Sequence, residues 1–425
     1  MSNTTNMTHD PQRVVEDLRN QLAAPDVRIS FLFGAGTSYG VNIAPQPRPN
    51  EKPRHEPLIP AISGLTKLCK SAVCGKGTDH ERAWKDLEAL CKEDGVAANV
   101  ENILSRIQSR IEAIGSTEKL SGLDRASWKQ VDTLVRQTIS GAVQPALNKI
   151  PKHLPHDNFA QWVRRSYRRP PLEIFTLNYD LLLESALERA EVPVFDGFLG
   201  SSEPFFCPDS LEREELCPSS GWTLLWKVHG SVNWDSKEVA GRERIVRTVP
   251  NENGKMILPS RRKYDESRKL PYTALMDRLG RVLDKDGTIL VTSGYSFGDE
   301  HVNSVILTVL NNRPRANLLA LIHGSISEDA YVFKMALTRK NFTLVARNGG
   351  IVRGEWGEWK LTQPVDDKTC SFMDIAFDSH AAPEPTKGAA DPTDESLLGT
   401  VKLGDFACFC KFLLTMERET EMVSE

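Results

Sequence analysis

Polar side chains that can bind a ligand or move a proton follow two apolar runs of this chain. Asn178 and Asp180 come soon after the run Leu172–Thr176, and His229 ends the run Trp222–Val228. The carboxyl ends of parallel strands form the edge at which open α/β sheets bind ligands. Histidine titrates near pH ~6.5, so a histidine at such an edge can act as a general base near neutral pH. These residues are therefore candidate site residues.

A glycine-rich turn near the N-terminus is a third candidate element. It follows the apolar run Ile29–Phe33, and its residues are Gly34, Ala35, Gly36, Thr37 and Ser38. Glycines allow backbone N–H groups to approach a ligand closely, and a helix that begins here would attract an anion. The turn lacks the third glycine of the dinucleotide fingerprint and a Gly-Lys-Ser/Thr ending. A plain strand-to-helix turn is the alternative.

Five apolar runs in all end in small or polar residues, with helical patterns between them. The remaining two are Thr288–Val291, which precedes Thr292, Ser293 and Gly294, and Leu318–Ile322. This recurrence predicts an α/β fold with a Rossmann-like doubly wound parallel sheet.

Composition limits the classes of function. The chain has 425 residues with 53 basic and 57 acidic side chains, and this balance does not indicate direct nucleic-acid binding. No apolar run reaches the ~18–20 residues of a membrane span, and the polar N-terminus lacks a signal-peptide pattern. We therefore expect a cytoplasmic protein. None of the eight cysteines stands in a Cys-x-x-Cys pair, so we expect no metal.

Four motifs stand in the order seen in the sirtuin superfamily. The loop from Gly34 to Ser38 resembles the Gly-Ala-Gly-x-Ser dinucleotide loop, and Thr176–Asp180 resembles the Thr-Gln-Asn-Ile-Asp segment. The third motif, Val228–Gly230, resembles the catalytic His-Gly. The stretch Gly294–Asp299 is similar to the Gly-Tyr-Ser-Phe-Gly-Asp of the bacterial sirtuin-like branch. The resemblance covers roughly residues 25–330.

The resemblance implies an NAD+ hydrolase of bacterial antiviral defence, which depletes the infected cell of NAD+. It implies catalytic roles for Asn178 and His229, and NAD+ as the substrate without a metal. The loop from Gly34 to Ser38 would hold the diphosphate, and Asp180 would lie near the nicotinamide. The residues expected near the adenosine half are Thr292, Ser293 and Gly294. For Asp180 the alternative is a cap on the following helix, and capping is also the simplest role for Asp299.

The sequence departs from the deacetylase sirtuins after the catalytic motif. Those enzymes have a zinc ribbon of two Cys-x-x-Cys pairs after their His-Gly, and no such pairs follow His229. This departure argues against an NAD-dependent protein deacylase, which remains one alternative. A non-catalytic sensor of NAD or ADP-ribose is the other, although a pure binder needs neither Asn178 nor His229.

The predicted organisation is a sirtuin-like NAD-binding catalytic domain over residues 1–330, with a helical insertion module at 61–150. Residues 331–425 are predicted to be a small C-terminal extension that serves assembly or stability. The resemblance further implies a homo-oligomer and a HerA-type hexameric ATPase as the partner.

Overall fold

The computed structural model describes residues 7–45, 54–75, 77–115, 117–145, 147–213, 215–239, 241–250, 271–366, 370–379, 381 and 397–416. The strands are β1 (Thr8–His9), β2 (Ile29–Phe33), β3 (Leu172–Thr176), β4 (Val194–Phe195), β5 (Phe198–Leu199), β6 (Phe205–Phe206), β7 (Thr223–Lys227), β8 (Trp234–Val239), β9 (Arg242–Arg247), β10 (Ile289–Ser293), β11 (Asn317–Leu321), β12 (Phe342–Val345), β13 (Gly350–Val352), β14 (Glu355–Trp359), β15 (Phe377–Asp378) and β16 (Thr400–Val401).

The α-helices of the same residues are α1 (Pro11–Ala23), α2 (Gly36–Tyr39), α3 (Ile62–Val73), α4 (Asp79–Glu93), α5 (Val100–Ala113), α6 (Arg125–Ala142), α7 (Pro155–Arg165), α8 (Leu182–Arg189), α9 (Asp209–Glu212), α10 (Tyr272–Leu283), α11 (Glu300–Asn312), α12 (Tyr331–Leu337), α13 (Cys370–Ala376) and α14 (Phe406–Leu414). A 3-10 turn spans Leu147–Lys149.

A ten-stranded, mostly parallel sheet forms the centre of the fold. Its order is β1-β14-β13-β12-β11-β10-β2-β3-β7-β4. The last seven strands in this order, which begin with β12, run parallel to one another. The chain adds β3 and β7 on one side of β2 and then crosses over to add β10, β11 and β12 on the other. This is the order of a doubly wound Rossmann-like sheet, and its switch point lies between β2 and β10. The predicted α/β fold class is confirmed.

Both faces of the parallel sheet are covered by helices. Successive strand side chains point to opposite faces, so Phe31 and Phe33 pack in one hydrophobic cluster and Leu32 packs in another. Helices α1, α7, α8, α13 and α14 contribute to the first cluster, and α10, α11 and α12 contribute to the second. Burial on both faces explains why these strands are predominantly apolar in the sequence.

Helices α3 to α6 pack around a third hydrophobic cluster, which includes the buried Trp84 and Trp128. The apolar residues of each helix recur every three or four positions, as amphipathic helices require. Leu182, after β3, and Val232, after β7, belong to the same cluster. The helical module therefore packs beside the carboxyl ends of these two strands.

The described part of the segment from residue 331 is continuous with this core. Strands β12, β13 and β14 extend the central sheet, and α14 packs on its first face. The Phe406 and Phe33 rings lie 5.4 Å apart, and the Phe409 and Phe31 rings lie 6.3 Å apart. The apolar stretch 401–416 thus packs on the body of the protein. Residues 382–396 and 417–425 lie outside the described residues.

Two local features differ from the prediction. The sequence predicts one strand over Gly350–Trp359, but the chain turns at Arg353 and Gly354, whose φ values are 55° and 85°. Such a two-residue turn joins β13 to β14 as a hairpin. The small antiparallel sheet β5-β6-β9-β8 is also absent from the prediction, because its shortest strands have only two residues. No helix in the described ranges is both long enough and apolar enough to cross a membrane.

Candidate functional site

Four neighbouring strands bring the four motifs to one edge of the sheet. Across the sheet these strands are β10, β2, β3 and β7, and each motif follows or completes the carboxyl end of its strand. The first motif lies at the switch point, beside Ser293 and Gly294 at the end of β10. Asn178 follows β3, and His229 follows the adjacent β7. Residues far apart in the sequence therefore meet where Rossmann-like folds bind ligands.

The glycine-rich loop after β2 packs directly on the loop after β10. The N–H groups of Gly34 and Gly36 donate to the carbonyl oxygens of Ser293 and Gly294 at 3.1 and 2.9 Å. A Cβ on Gly34 would lie 2.5 Å from the Gly294 oxygen, and a Cβ on Gly36 would lie 2.6 Å from the Gly294 Cα. These glycines are therefore required for contact between two loops, which the sequence pattern alone did not predict.

One exposed amide of this loop is available to an anion within the described ranges. Gly34, Gly36 and Thr37 donate their N–H groups to backbone carbonyls. Ala35 is exposed, and its N–H donates to no acceptor in the described part of the chain. Helix α2 has only four residues, so its dipole contributes little. A diphosphate at this loop would be held by Ala35 N–H, and not by a row of backbone donors.

The orientation of the Asn178 amide is fixed by two hydroxyl groups. Its Nδ2 donates to Thr37 Oγ1 at 2.9 Å and to Ser38 Oγ at 3.0 Å. Thr37 donates its own hydroxyl to the Gly34 carbonyl at 3.0 Å, and Ser38 donates to Asp180 Oδ2 at 2.7 Å. Since both hydroxyls can only accept from Asn178, the NH2 group must face them. Asn178 Oδ1 makes no hydrogen bond with a described residue, so it can accept one from a ligand.

Asp180 is buried, and both of its carboxylate oxygens accept hydrogen bonds from the protein. Oδ2 accepts from Ser38, and Oδ1 accepts from the Leu182 N–H at 3.1 Å. The second bond satisfies a free N–H at the start of α8, which is the contact of the capping alternative. In this structure Asp180 therefore holds the Ser38 hydroxyl that orients Asn178.

His229 lies against the start of α11. Its Nε2 is 3.1 Å from Asp299 Oδ2. The other oxygen of Asp299 accepts from the N–H groups of His301 and Val302 at 3.0 and 3.2 Å, so Asp299 caps the helix as predicted. A carboxylate at this distance can accept a hydrogen bond from an Nε2–H group, which would orient the imidazole ring. Both side chains are largely buried, at 8% and 6% exposed, so the pair is poorly screened by solvent.

Two hydroxyl groups at the end of β10 are buried and have no partner among the described residues. Thr292 Oγ1 and Ser293 Oγ make no hydrogen bond within the described ranges, and both residues are fully buried. A buried hydroxyl without a partner is unfavourable, so a ligand or a water that supplies one would be stabilised here. These are two of the residues expected near the adenosine half.

A small cavity of about 10 Å³ lies next to Asn178 and Asp180. Its lining includes His156 of α7 and Glu184 of α8, and His156 Nδ1 and Glu184 Oε2 have no partner among the described residues. Burial lowers the pKa of His156 to about 4 and raises the pKa of Glu184. His156 is therefore neutral at pH 7.

Lys227, at the end of β7, links Glu184 to Asp180. Its ammonium donates to the Asp180 carbonyl and pairs with Glu184 Oε1 at 2.7 Å. No role was predicted from the sequence for Lys227, Glu184 or His156. A lysine at the last position of an otherwise apolar strand is a signal that could have identified the first of them.

A larger cavity of about 280 Å³ lies at the opposite edge of the sheet, beside the amino ends of β3 and β7. None of its lining residues belongs to the four motifs. The described part of the chain contains no group of three or more His, Cys, Asp or Glu side chains that could hold a metal ion.

Comparison with known families agrees with this placement. A family model described as a SIR2-like domain matches residues 172–344, which include Asn178, His229 and Ser293. The match supports a sirtuin-like superfamily, and a SIR2-like domain implies use of NAD+. No curated protein matches the chain. The glycine-rich loop after β2 lies outside the matched residues, but it is bonded to Ser293 and Gly294 inside them.

Proposed function

We propose that the protein is an NAD+ hydrolase, which cleaves the bond between nicotinamide and ribose and releases nicotinamide and ADP-ribose. The observation that carries this proposal is the fixed amide of Asn178, whose Oδ1 is available to a ligand. Asn178 follows β3, and His229 follows the adjacent strand β7. The SIR2-like match over the same residues supports NAD+ as the ligand.

The reaction places few demands on acid catalysis. When the C1′–N bond breaks, both electrons go to the nicotinamide nitrogen, so a cationic group leaves as neutral nicotinamide. Positive charge develops on the ribose, water adds at C1′, and the water loses one proton to a base. The site must therefore hold the diphosphate, orient the ribose and accept that proton.

The residues of the site match these tasks. Asn178 Oδ1 would accept a hydrogen bond from a ribose hydroxyl or from the attacking water. His229 would accept the proton as a general base, and Asp299 would stabilise the imidazolium that forms.

The remaining contacts would hold the other end of NAD+. Ala35 N–H would donate to the diphosphate, and the hydroxyls of Thr292 and Ser293 would gain partners from the adenosine half. Gly294 would fix the position of the loop after β10 beside the ligand, because its backbone contacts the loop after β2. These assignments fit a dinucleotide that crosses the switch point.

The test is NAD+ turnover by the purified chain, with nicotinamide and ADP-ribose quantified. We expect Asn178→Ala and His229→Ala to remove most activity. Asn317→Ala and His153→Ala replace exposed residues outside the site and serve as matched controls. Turnover of an acetylated peptide with no free ADP-ribose would instead identify a deacylase, and NAD+ binding without turnover would identify a sensor.

We also propose a biological setting from the resemblance of the four motifs. NAD+ depletion would serve bacterial antiphage defence, and the chain would act as a homo-oligomer with a HerA-type hexameric ATPase. Purification of the chain from its own host tests this setting. A companion ATPase that co-purifies and raises turnover is expected, and a chain that purifies as a fully active monomer would contradict the proposal.

A further inference from the structure

The cavity of about 280 Å³ has a lining suited to an anionic ligand. It lies between the end of α7, the segment that leads into β3 and the segments that lead into β4 and β7. Arg164, Arg165 and Arg168 line it, and none of its described lining residues is an aspartate or glutamate. The guanidinium groups of Arg164 and Arg168 create a positive potential inside the cavity. Such a potential attracts phosphate or another anion.

Arg168 adds a hydrogen-bond donor that has no partner in the described part of the chain. The residue is 8% exposed, and its terminal nitrogens donate to backbone carbonyls at and just after the end of α1. Its Nε has no acceptor within the described ranges. Burial lowers the pKa of Arg168 to about 10, so the side chain stays charged at pH 7. An acceptor that reached this group would relieve the penalty of the unpaired donor.

Two exposed aromatic side chains also line the cavity. Tyr167 is 70% exposed and Trp222 is 44% exposed. Large aromatic residues are usually buried, and the tryptophans at positions 84, 128, 226, 234 and 359 are fully buried. An exposed aromatic ring beside arginines provides a surface on which a nucleic-acid base can stack.

We propose that this cavity binds a nucleoside phosphate, with its phosphate on the arginines and its base against Trp222 or Tyr167. The volume lies near the lower limit of about 300 Å³ for small-molecule pockets, which suits one nucleotide and not a dinucleotide. A free nucleotide and one unit of a single strand share this chemistry. The proposal does not depend on the hydrolase activity, because the cavity and the candidate site lie at opposite edges of the sheet.

Isothermal titration calorimetry of the full chain with AMP and ATP tests the proposal. Arg164→Ala removes a phosphate donor and Trp222→Ala removes a stacking surface, and each should weaken binding about tenfold or more. Arg169→Ala is the matched control, because Arg169 is exposed, pairs with Asp26 at 3.2 Å and does not line the cavity. Thermal unfolding of each variant checks that it is folded.

The variants also separate this cavity from the candidate NAD+ site. Asn178→Ala should leave AMP binding unchanged, even if it removes NAD+ turnover. A short deoxyadenylate oligonucleotide is titrated in parallel. Binding of AMP would identify the ligand of the cavity as a free nucleotide. Binding of the oligonucleotide but not of AMP would identify it as a single strand. The proposal is overturned by an absence of binding at millimolar ligand, by binding that survives both cavity variants, or by binding that Asn178→Ala abolishes.

Discussion

Replacement of Ser38 by alanine should disconnect Asn178 from Asp180 without a large change in the shape of the loop. The Ser38 hydroxyl accepts from Asn178 Nδ2 at 3.0 Å and donates to Asp180 Oδ2 at 2.7 Å. Ser38 is 2% exposed and Asp180 is 6% exposed. Bulk water therefore does not readily replace the lost hydroxyl, and the Asp180 carboxylate loses one of its two donors.

The size of the effect follows from these contacts. A hydrogen bond to a charged group contributes about 1.5–3 kcal/mol, so the free energy of unfolding should fall by about 2 kcal/mol. Asn178 keeps its bond to Thr37 at 2.9 Å and loses one of two restraints on its amide. We expect kcat for NAD+ hydrolysis to fall about tenfold, which corresponds to about 1.4 kcal/mol in the barrier.

Two assays separate positioning from folding. Nicotinamide release gives kcat, and urea unfolding gives stability, with Ser296→Ala as a control at an exposed serine of the loop after β10. In the Asn178→Ala background, Ser38→Ala should still lower stability but should change kcat little, because the amide that it positions is gone. Wild-type kcat in Ser38→Ala, or activity losses that simply add in the double variant, would refute the reasoning.

Three further predictions concern stability. Gly294→Ala should destabilise the protein in urea by at least about 2 kcal/mol more than Gly287→Ala: both glycines have positive φ, but only at Gly294 would a Cβ overlap the other loop. Between pH 6.5 and 4 the unfolded state binds more protons than the folded state, because burial lowers the pKa of His156 to about 4. The free energy of unfolding should therefore decrease by up to about 3 kcal/mol as the pH is lowered from 6.5 to 4. In His156→Phe this pH-dependent decrease should be absent when unfolding by urea is measured across the same pH range. Lys227→Met should lower the free energy of unfolding in urea by about 3–5 kcal/mol, because Glu184 loses its cation, although protonation of Glu184 offsets part of this loss. Arg313→Ala removes an exposed ion pair and should lower the free energy of unfolding much less in the same measurement.

Each of these predictions has a contradicting result. Equal losses at the two glycines would show that the loops can separate without penalty. An unchanged pH slope in His156→Phe would mean that another group titrates in this window. If Lys227→Met lowered the free energy of unfolding no more than Arg313→Ala does, the buried pair of Lys227 and Glu184 would not stabilise the protein.

The sequence predicted the central strands well because each is buried on both faces. Strands β2 and β3 have the predicted bounds, Ile29–Phe33 and Leu172–Thr176. Each is a predominantly apolar run, and a glycine or an asparagine follows within two residues of its end. The doubly wound class of the sheet followed from the alternation of strands and helices, but the order of its strands was not predicted.

The contacts between distant elements could not be predicted in this way. Glu173 lies inside the apolar β3, and it is buried because Arg278 of α10 pairs with it at 2.7 Å and the Trp226 indole donates to it at 2.8 Å. The need for glycine at Gly34 comes from the loop after β10, about 260 residues away in the sequence. Periodicity describes one element at a time and has no information about such partners.

In the candidate site, too, the positions of residues could be predicted but the contacts between them could not. The strand-end rule predicted where Asn178 and His229 would lie, because it depends only on the direction of the strands. The rule could not predict that Asn178 is oriented by Thr37 and Ser38, since that arrangement depends on the rotamers of three side chains from two loops. It also could not predict that Asp180 would hold one of those hydroxyls in place.

The most direct test of the central claim is NAD+ consumption by the full chain, its Asn178→Ala and His229→Ala variants, and the companion ATPase of its host where one co-purifies. Nicotinamide and ADP-ribose are measured together. The account predicts equal amounts of both products from the wild type and a loss of about a hundredfold or more in each variant. Wild-type turnover in either variant, or no turnover by the wild type with and without the ATPase, would contradict it.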